Sequence, residues 1–192
     1  MKKILIGTHN KGKFKELAYL LPKRLEKVSP LSLNIKSPKE TGKSFISNSK
    51  LKVKYFSRFV DYPVISDDSG LCIKALKNNP GIYSARLAKK HGSFFRAMKF
   101  ILKKMSKEKK RSAFFVCSLS YKNQKGKMVS VEGKLKGNIS TKILGKKGFG
   151  FDPIFIPLNK KKTFGQMSKL KKIMMDHRFI AFQKLKKRIK IW

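Results

Sequence analysis

The stretch Ile4-Leu5-Ile6-Gly7-Thr8-His9-Asn10-Lys11-Gly12-Lys13-Phe14-Lys15-Glu16-Leu17-Ala18 decides how this chain folds. Ile4 to Gly7 is a short apolar run that reads as a buried strand. Thr8-His9-Asn10 is the turn after it, and from Gly12 the apolar spacing becomes helical. Phe14, Leu17, Ala18 and Leu21 then share one face, and Pro22 stops the helix. A strand, a polar turn and a helix start put backbone N–H groups, small polar side chains and lysine where a phosphate binds well. Asn and Gly are also ordinary turn residues at such corners, so this stretch alone leaves a plain turn open.

Outward from that corner, the spacing predicts an extended segment over 28–35 and a loop at Ser37-Pro38-Lys39-Glu40-Thr41-Gly42. Ser44 then caps a helix running to about Phe59. Pro63 to Ser66 reads as a second short strand ending in Asp67-Asp68-Ser69-Gly70, and Leu71-Cys72-Ile73 as a third. Asn78-Asn79-Pro80-Gly81 is a turn, and a helix follows over about Ser93 to Met105. Residues 113–121 and 127–136 read as antiparallel strands joined near Asn123 to Gly126. A glycine-rich loop spans Gly145 to Gly150, and a basic amphipathic helix is expected from about Leu170 to Ile189. No repeat or linker divides the chain. One domain over 1–192 of α/β or α+β class is the expectation.

Composition excludes several classes. With 41% hydrophobic residues the chain can bury a core, and its apolar runs fall short of the roughly 20 residues that cross a bilayer. The run after Lys2-Lys3 is too short for a signal peptide. Cys72 and Cys117 have no metal spacing and make no disulfide framework, so a reducing, cytoplasmic setting is expected.

Lys and Arg number 48 against 10 Asp and Glu, a formal charge of +38. Such a field attracts nucleic acid, but only seven of the basic residues are arginine, the fork-shaped side chain that nucleic-acid readers favour. The lysines are scattered without a tail, which favours compositional drift. Any nucleic-acid binding is expected to be non-specific.

Against this background the few acids are informative. Glu40, Asp67 and Asp68 fall in predicted loops or strand ends. Adjacent carboxylates repel unless a cation or basic partner stabilises them. Magnesium takes hard oxygen ligands, often one or two carboxylates together with substrate phosphates, and a nearby carboxylate can accept a proton from water. Asx-type capping of the backbone is the plain alternative for Asp67-Asp68. Gly42-Lys43-Ser44 lacks the first glycine of a P-loop, and Ser69 has no nucleophile elbow. His177-Arg178, with Lys172 just before, reads either as a ligand-facing helix start or as a solvated basic helix. His9 and His91 have no partner in sequence and read as surface or turn residues.

Taken in order, these segments resemble the inosine/xanthosine triphosphate pyrophosphatase family. The resemblance runs from Thr8-His9-Asn10-Lys11-Gly12-Lys13 through Glu40-Thr41-Gly42, Asp67-Asp68-Ser69-Gly70-Leu71 and Pro80-Gly81-Ile82-Tyr83-Ser84-Ala85-Arg86. It continues with Gly148-Phe149-Gly150-Phe151-Asp152-Pro153, then Lys162-Thr163-Phe164 and His177-Arg178. It implies an elongated mixed central sheet flanked by helices, two lobes around a central cleft, and a homodimer. It implies hydrolysis of non-standard purine nucleoside triphosphates (ITP, dITP, XTP) to the monophosphate and pyrophosphate.

The roles it implies are specific. Thr8, Asn10 and Lys13 hold the triphosphate, Glu40 and Asp68 bind Mg²⁺, and Asp68 accepts the proton of the attacking water with Asp67 alongside. Ser69 touches the substrate, Phe149 stacks on the base within the Phe149-Gly150-Phe151 segment, and Asp152, Lys172, His177 and Arg178 recognise the base. The chain departs from the family pattern at His9, usually Gly, at Phe151, usually Tyr, and over Lys89 to Ala97, where the usual acidic and amide residues are missing.

Overall fold

The computed structural model describes residues 2–189. A seven-stranded sheet runs β2 (Glu26–Val28), β1 (Lys3–Ile6), β3 (Val64–Ile73), β5 (Ser112–Lys122), β6 (Met128–Ile139), β7 (Phe155–Pro157), with β4 (Asn79–Pro80) paired to β3. β1 lies parallel to β2 and to β3, whereas β4 on β3 and β7 on β6 are antiparallel. The sheet is mixed, and the helices α1 (Lys11–Leu20), α2 (Phe45–Phe56), α3 (Ser84–Lys90), α4 (Phe94–Lys104), α5 (Lys169–Ile173) and α6 (His177–Lys186) complete an α/β fold.

Contacts divide the chain into two compact units. The first comprises residues 1–68, 117–133 and 178–192; the second comprises 69–116 and 134–177. In the first unit β1 and α1 form as the opening stretch predicts. Ile4, Ile6, Leu17, Leu21, Ile65, Leu119, Phe182 and Leu185 are buried in one apolar cluster. A second cluster gathers Leu5, Val53, Phe56 and Val64, which is why α2 lies where it does. Its start is fixed by Ser44, whose Oγ accepts from the Ser47 N–H at 3.1 Å in a capping box. In the second unit, α4 buries Ala97, Met98 and Ile101 among Leu71, Ile73, Phe155 and Phe164, and Ser93 caps it through the Arg96 N–H.

Three expectations are corrected. The two short strands predicted around Asp67 to Gly70 are one ten-residue strand, β3, buried along nearly its whole length. The Val28–Ile35 segment is only partly extended: β2 ends at Val28, and Leu31–Leu33 form a 3-10 turn closed by Asn34 at φ 52°. The single terminal helix is two, α5 and α6, broken at residues 174–176. α3, between the Asn78–Gly81 turn and α4, was not anticipated.

Candidate active site

In the first unit the corner after β1 is built by close approach. Gly7 donates its N–H to the Ile65 carbonyl at 2.7 Å. A Cβ there would lie 2.2 Å from Ser66 Oγ and 2.5 Å from the Phe56 ring, so only glycine fits. Thr8 is buried and its Oγ1 accepts from the Asn10 N–H at 3.2 Å. Asn10 caps α1, its Oδ1 accepting from the Lys13 N–H at 3.0 Å. The plain turn reading of Asn10 is therefore realised, and it leaves the amide-rich start of α1 in place.

β3 then delivers two carboxylates to opposite faces, since successive strand side chains alternate. Asp67 is fully buried. Its Oδ2 lies 3.3 Å from Lys13 Nζ and accepts from Arg178 Nη2 at 3.1 Å, and Arg178 Nη1 donates to Glu16 Oε2. Burial alone raises a carboxyl's pKa, but Lys13, Arg178 and Lys52 outweigh it and hold Asp67 well below the usual carboxylate range. Asp68 goes the other way. Its burial pushes the pKa up, Lys13 and Lys52 do not compensate, and Glu40 adds to the rise.

Three side chains that the sequence reading did not single out organise this region. Asn48 donates through Nδ2 to Asp68 Oδ2 at 2.9 Å and accepts through Oδ1 from the Gly42 N–H at 2.8 Å. It thereby ties the Glu40 loop to β3. Lys52, one helical turn later, is buried and pairs with Glu40 at 2.9 Å. Burial opposes its charge, but Asp67, Glu40 and Asp68 prevail and raise its pKa. Glu16 is the buried partner of Arg178. The i, i+4 spacing of Asn48 and Lys52 is the one signal available in sequence, and it is lost among the four polar neighbours Ser47, Ser49, Lys50 and Lys54.

Of the seven charged groups Lys13, Lys52, Arg178, Glu16, Glu40, Asp67 and Asp68, four are acids, so ionised Asp68 leaves a net negative charge. Among the described residues no three His, Cys, Asp or Glu gather as a complete metal cage. Two oxygen-donor acids, Glu40 and Asp68, both interacting with Lys52, suit a hard divalent cation that completes its shell with water and phosphate.

The second unit carries the other predicted residues. Gly148 sits at φ 76°, and a Cβ there would lie 2.1 Å from Asp152 Oδ2, so glycine lets the loop close on that carboxylate. Asp152 Oδ2 accepts from the Phe149 N–H at 2.8 Å and from Lys172 Nζ at 2.6 Å. The Lys172 ammonium also lies 4.3 Å from the centre of the Phe149 ring. His177 is buried and stacks on Phe115, with centroids 4.7 Å apart and planes 13° apart. Ser69 continues β3, half-buried. Gly150 supplies a left-handed turn at φ 66°, and Phe151 packs edge-on against Phe94 in the apolar core.

The structure thus brings Phe149, Asp152 and Lys172 into mutual contact. It sets Phe151 in the core and joins Arg178 to Glu16 and Asp67. His9, read as a surface or turn residue, is part-buried and bonded to Ile35.

The mixed sheet, the amide-rich start of α1 and the paired strand acids define an α/β protein with a buried charged site. Residues 4–188 match the Ham1 family, and the chain belongs to it. It is 39% identical over 186 residues to a dITP/XTP pyrophosphatase of Caulobacter vibrioides, covering 96% of each chain. It is 40% identical over 197 residues to the enzyme of that name from Borreliella burgdorferi, covering 97% of this chain and 96% of the relative. The Staphylococcus aureus Ham1 protein superposes with a TM-score of 0.85 at 32% identity over 97% of both chains. A HAM1 protein from Coxiella burnetii gives 0.87 at 27% identity over 98% of both.

Proposed function

We propose that this protein hydrolyses non-standard purine nucleoside triphosphates (ITP, dITP and XTP) to the monophosphate and pyrophosphate, clearing them from the nucleotide pool. The observation that carries the reading is Asp68: a buried strand carboxylate with raised pKa, flanked by Glu40 and Lys52, in the unit that holds the Thr8–Lys13 corner. Relatives that match nearly the full chain are named for this activity.

Thr8, Asn10, Lys13 and the first amides of α1 bind the phosphate chain. Asp68 takes the proton of a water attacking the α-phosphorus, while the bond to the bridging oxygen breaks and pyrophosphate departs with that electron pair. A raised pKa brings Asp68 nearer the optimum for a proton acceptor. Arg178 and Lys13 fix the neighbouring strand carboxylate, Asp67, in its charged form. Glu40 and Asp68 would hold Mg²⁺, which when bound supplies positive charge against the phosphate oxygens.

In the other unit Phe149 stacks on the base. Lys172 and His177 offer donors to a 6-oxo purine, with Asp152 orienting the lysine; adenine presents an amino group there and leaves those donors unpaired. Ser69 contacts the substrate beside Asp68. We place Arg178 behind Asp67, acting through it, and Phe151 with Gly150 in the segment that carries Phe149, its ring packed on Phe94. The reading includes a homodimer working in the cytoplasm; among the described residues no helix is long and apolar enough to cross a membrane.

A panel of nucleotides with pyrophosphate detection, with and without Mg²⁺, tests this. Pyrophosphate from ITP, dITP and XTP, much less from ATP and GTP, and none without the cation is the expected result. Equal turnover of all purines, or no turnover of any, overturns the reading. Salt-sensitive DNA binding without hydrolysis would favour a nucleic-acid protein instead.

A further inference from the structure

His9 interrupts the phosphate corner between Thr8 and Asn10, and its contacts lead elsewhere. Its Nε2 lies 2.9 Å from the carbonyl oxygen of Ile35, 26 residues further along the chain. Its ring lies 6.0 Å from that of Phe56, tilted by 31°. A carbonyl oxygen only accepts, so Nε2 is the nitrogen that bears the proton and donates. The other ring nitrogen, Nδ1, is buried with no hydrogen-bond partner. In the neutral ring it is then an acceptor left unsatisfied, which disfavours this placement. The ring is held there by the Nε2 bond and the packing on Phe56, against the interest of Nδ1.

The far end of that bond is well anchored. Ile35 is buried and donates its own N–H to the Pro30 carbonyl at 2.9 Å. The chain beyond it, residues 36–43, has no helix or strand of its own before Ser44 caps α2, and Glu40 lies within that stretch. One end of the Glu40 loop is tied down by Asn48 through the Gly42 N–H. The other is tied by His9.

We propose that His9 is a positioning residue: its Nε2–H…O=C bond to Ile35 fixes the entry of the Glu40 loop to the phosphate corner, setting where Glu40 stands relative to Thr8, Asn10 and Lys13. The inference rests on the roles given above to Glu40 and the corner.

The test compares His9→Leu, His9→Gln and His9→Asn. Leucine keeps bulk against Phe56 and removes both nitrogens, the glutamine amide nitrogen stands where Nε2 does, and asparagine's stands where Nδ1 does. In the full-length protein without ligand, amide hydrogen exchange over residues 8–13 and 35–42 is expected to quicken in His9→Leu and His9→Asn and to return to wild type in His9→Gln. The Mg²⁺ concentration giving half-maximal ITP hydrolysis is expected to rise about tenfold in the first two, the scale of one lost hydrogen bond, with kcat held within a few-fold. Thermal midpoints should barely move, since losing the bond to Ile35 is offset by removing the unsatisfied Nδ1. Unchanged exchange in His9→Leu, or rescue by asparagine and not glutamine, overturns the proposal. Should the wild type release no pyrophosphate from any purine triphosphate, the function above fails, and the exchange comparison still decides whether His9 ties the loop.

Discussion

The two units hold their buried carboxylates in opposite ways. In the second, Asp152 is met by the Phe149 N–H and the Lys172 ammonium on one oxygen, with the Gly148 backbone pressed so close that no Cβ fits. That carboxylate holds the Phe149 backbone and the Lys172 ammonium together. In the first, Asp67 and Asp68 are adjacent in β3 yet titrate in opposite directions, one held charged by Lys13 and Arg178, the other pushed up by burial. A carboxylate held charged by buried cations organises a site, and one whose charge the fold resists is suited to exchange a proton or take a metal ion.

The largest effect expected from this contrast is in Asp68→Asn. Hydrolysis of ITP should fall by on the order of 10³-fold in kcat or more, because the proposed proton acceptor and a proposed metal ligand go together. Urea unfolding should show equal or greater stability, since a neutral amide replaces a charge that the fold disfavours. Near-full activity would mean that Asp68 is not the base.

Asp67→Asn should invert that pattern. It leaves the buried Arg178 and the half-buried Lys13 opposite an amide, and a guanidinium cannot shed its proton. Breaking a buried pair in this way costs about 3–5 kcal/mol, read as a lowered urea midpoint. The Lys172→Met change in the second unit should cost less, about 2 kcal/mol, because the stranded Asp152 can take up a proton where Arg178 cannot. Its clearer signature is on substrates, with the preference for ITP over ATP shrinking about tenfold or more. If Lys172→Met proves the more damaging to stability, the contrast between the units is wrong.

Acid titration separates the two strand carboxylates within one unit. Asp67 has a lowered folded-state pKa, so the stability it contributes is complete above the ordinary carboxylate value, near 3.9, and is lost as pH falls towards the folded value. Asp68 has a raised folded-state pKa, so its ionisation works against folding as pH rises through that range. The proposed mechanism requires ionised Asp68. On acidification, hydrolysis and the affinity for Mg²⁺ should therefore decline at a pH where the fold still stands. Coincident loss of activity and of tertiary structure would break the distinction.

The contrast also explains what could be read in the sequence. The β1–turn–α1 corner, the Ser44 cap of α2 and the strands around Asn123 to Gly126 were legible because local signals agree with the tertiary outcome. The Asp67-Asp68-Ser69-Gly70 run reads as a break because Asp and Gly are poor strand formers. It is continuous strand, its Asp67 paired with Lys13 and Arg178, both remote in sequence and the latter 111 residues away. The break between α5 and α6 has no Pro or Gly to announce it. Lys52 and Asn48 were hidden for another reason: in a lysine-rich chain one buried lysine looks like every other.

The lysine excess yields the smallest and most general expectation. The formal +38 is distributed along the chain, and lysines of the site such as Lys52 are buried while most others lie at the surface. A surface field of one sign raises the local concentration of a polyanion and is screened by salt, whereas buried pairs are screened far less. Raising ionic strength from about 0.05 to 0.5 M should accordingly lower kcat/KM for ITP by roughly three- to tenfold. It should leave kcat and the preference for ITP over GTP nearly unchanged, because Lys52, Lys172 and Arg178 act inside. Neutralising several exposed lysines of α4 and the residues after it, for example Lys103, Lys104 and Lys107 to Gln, should flatten that salt dependence without touching kcat. A salt dependence carried by kcat would place the screened charges in the site itself and would contradict the burial of its cations.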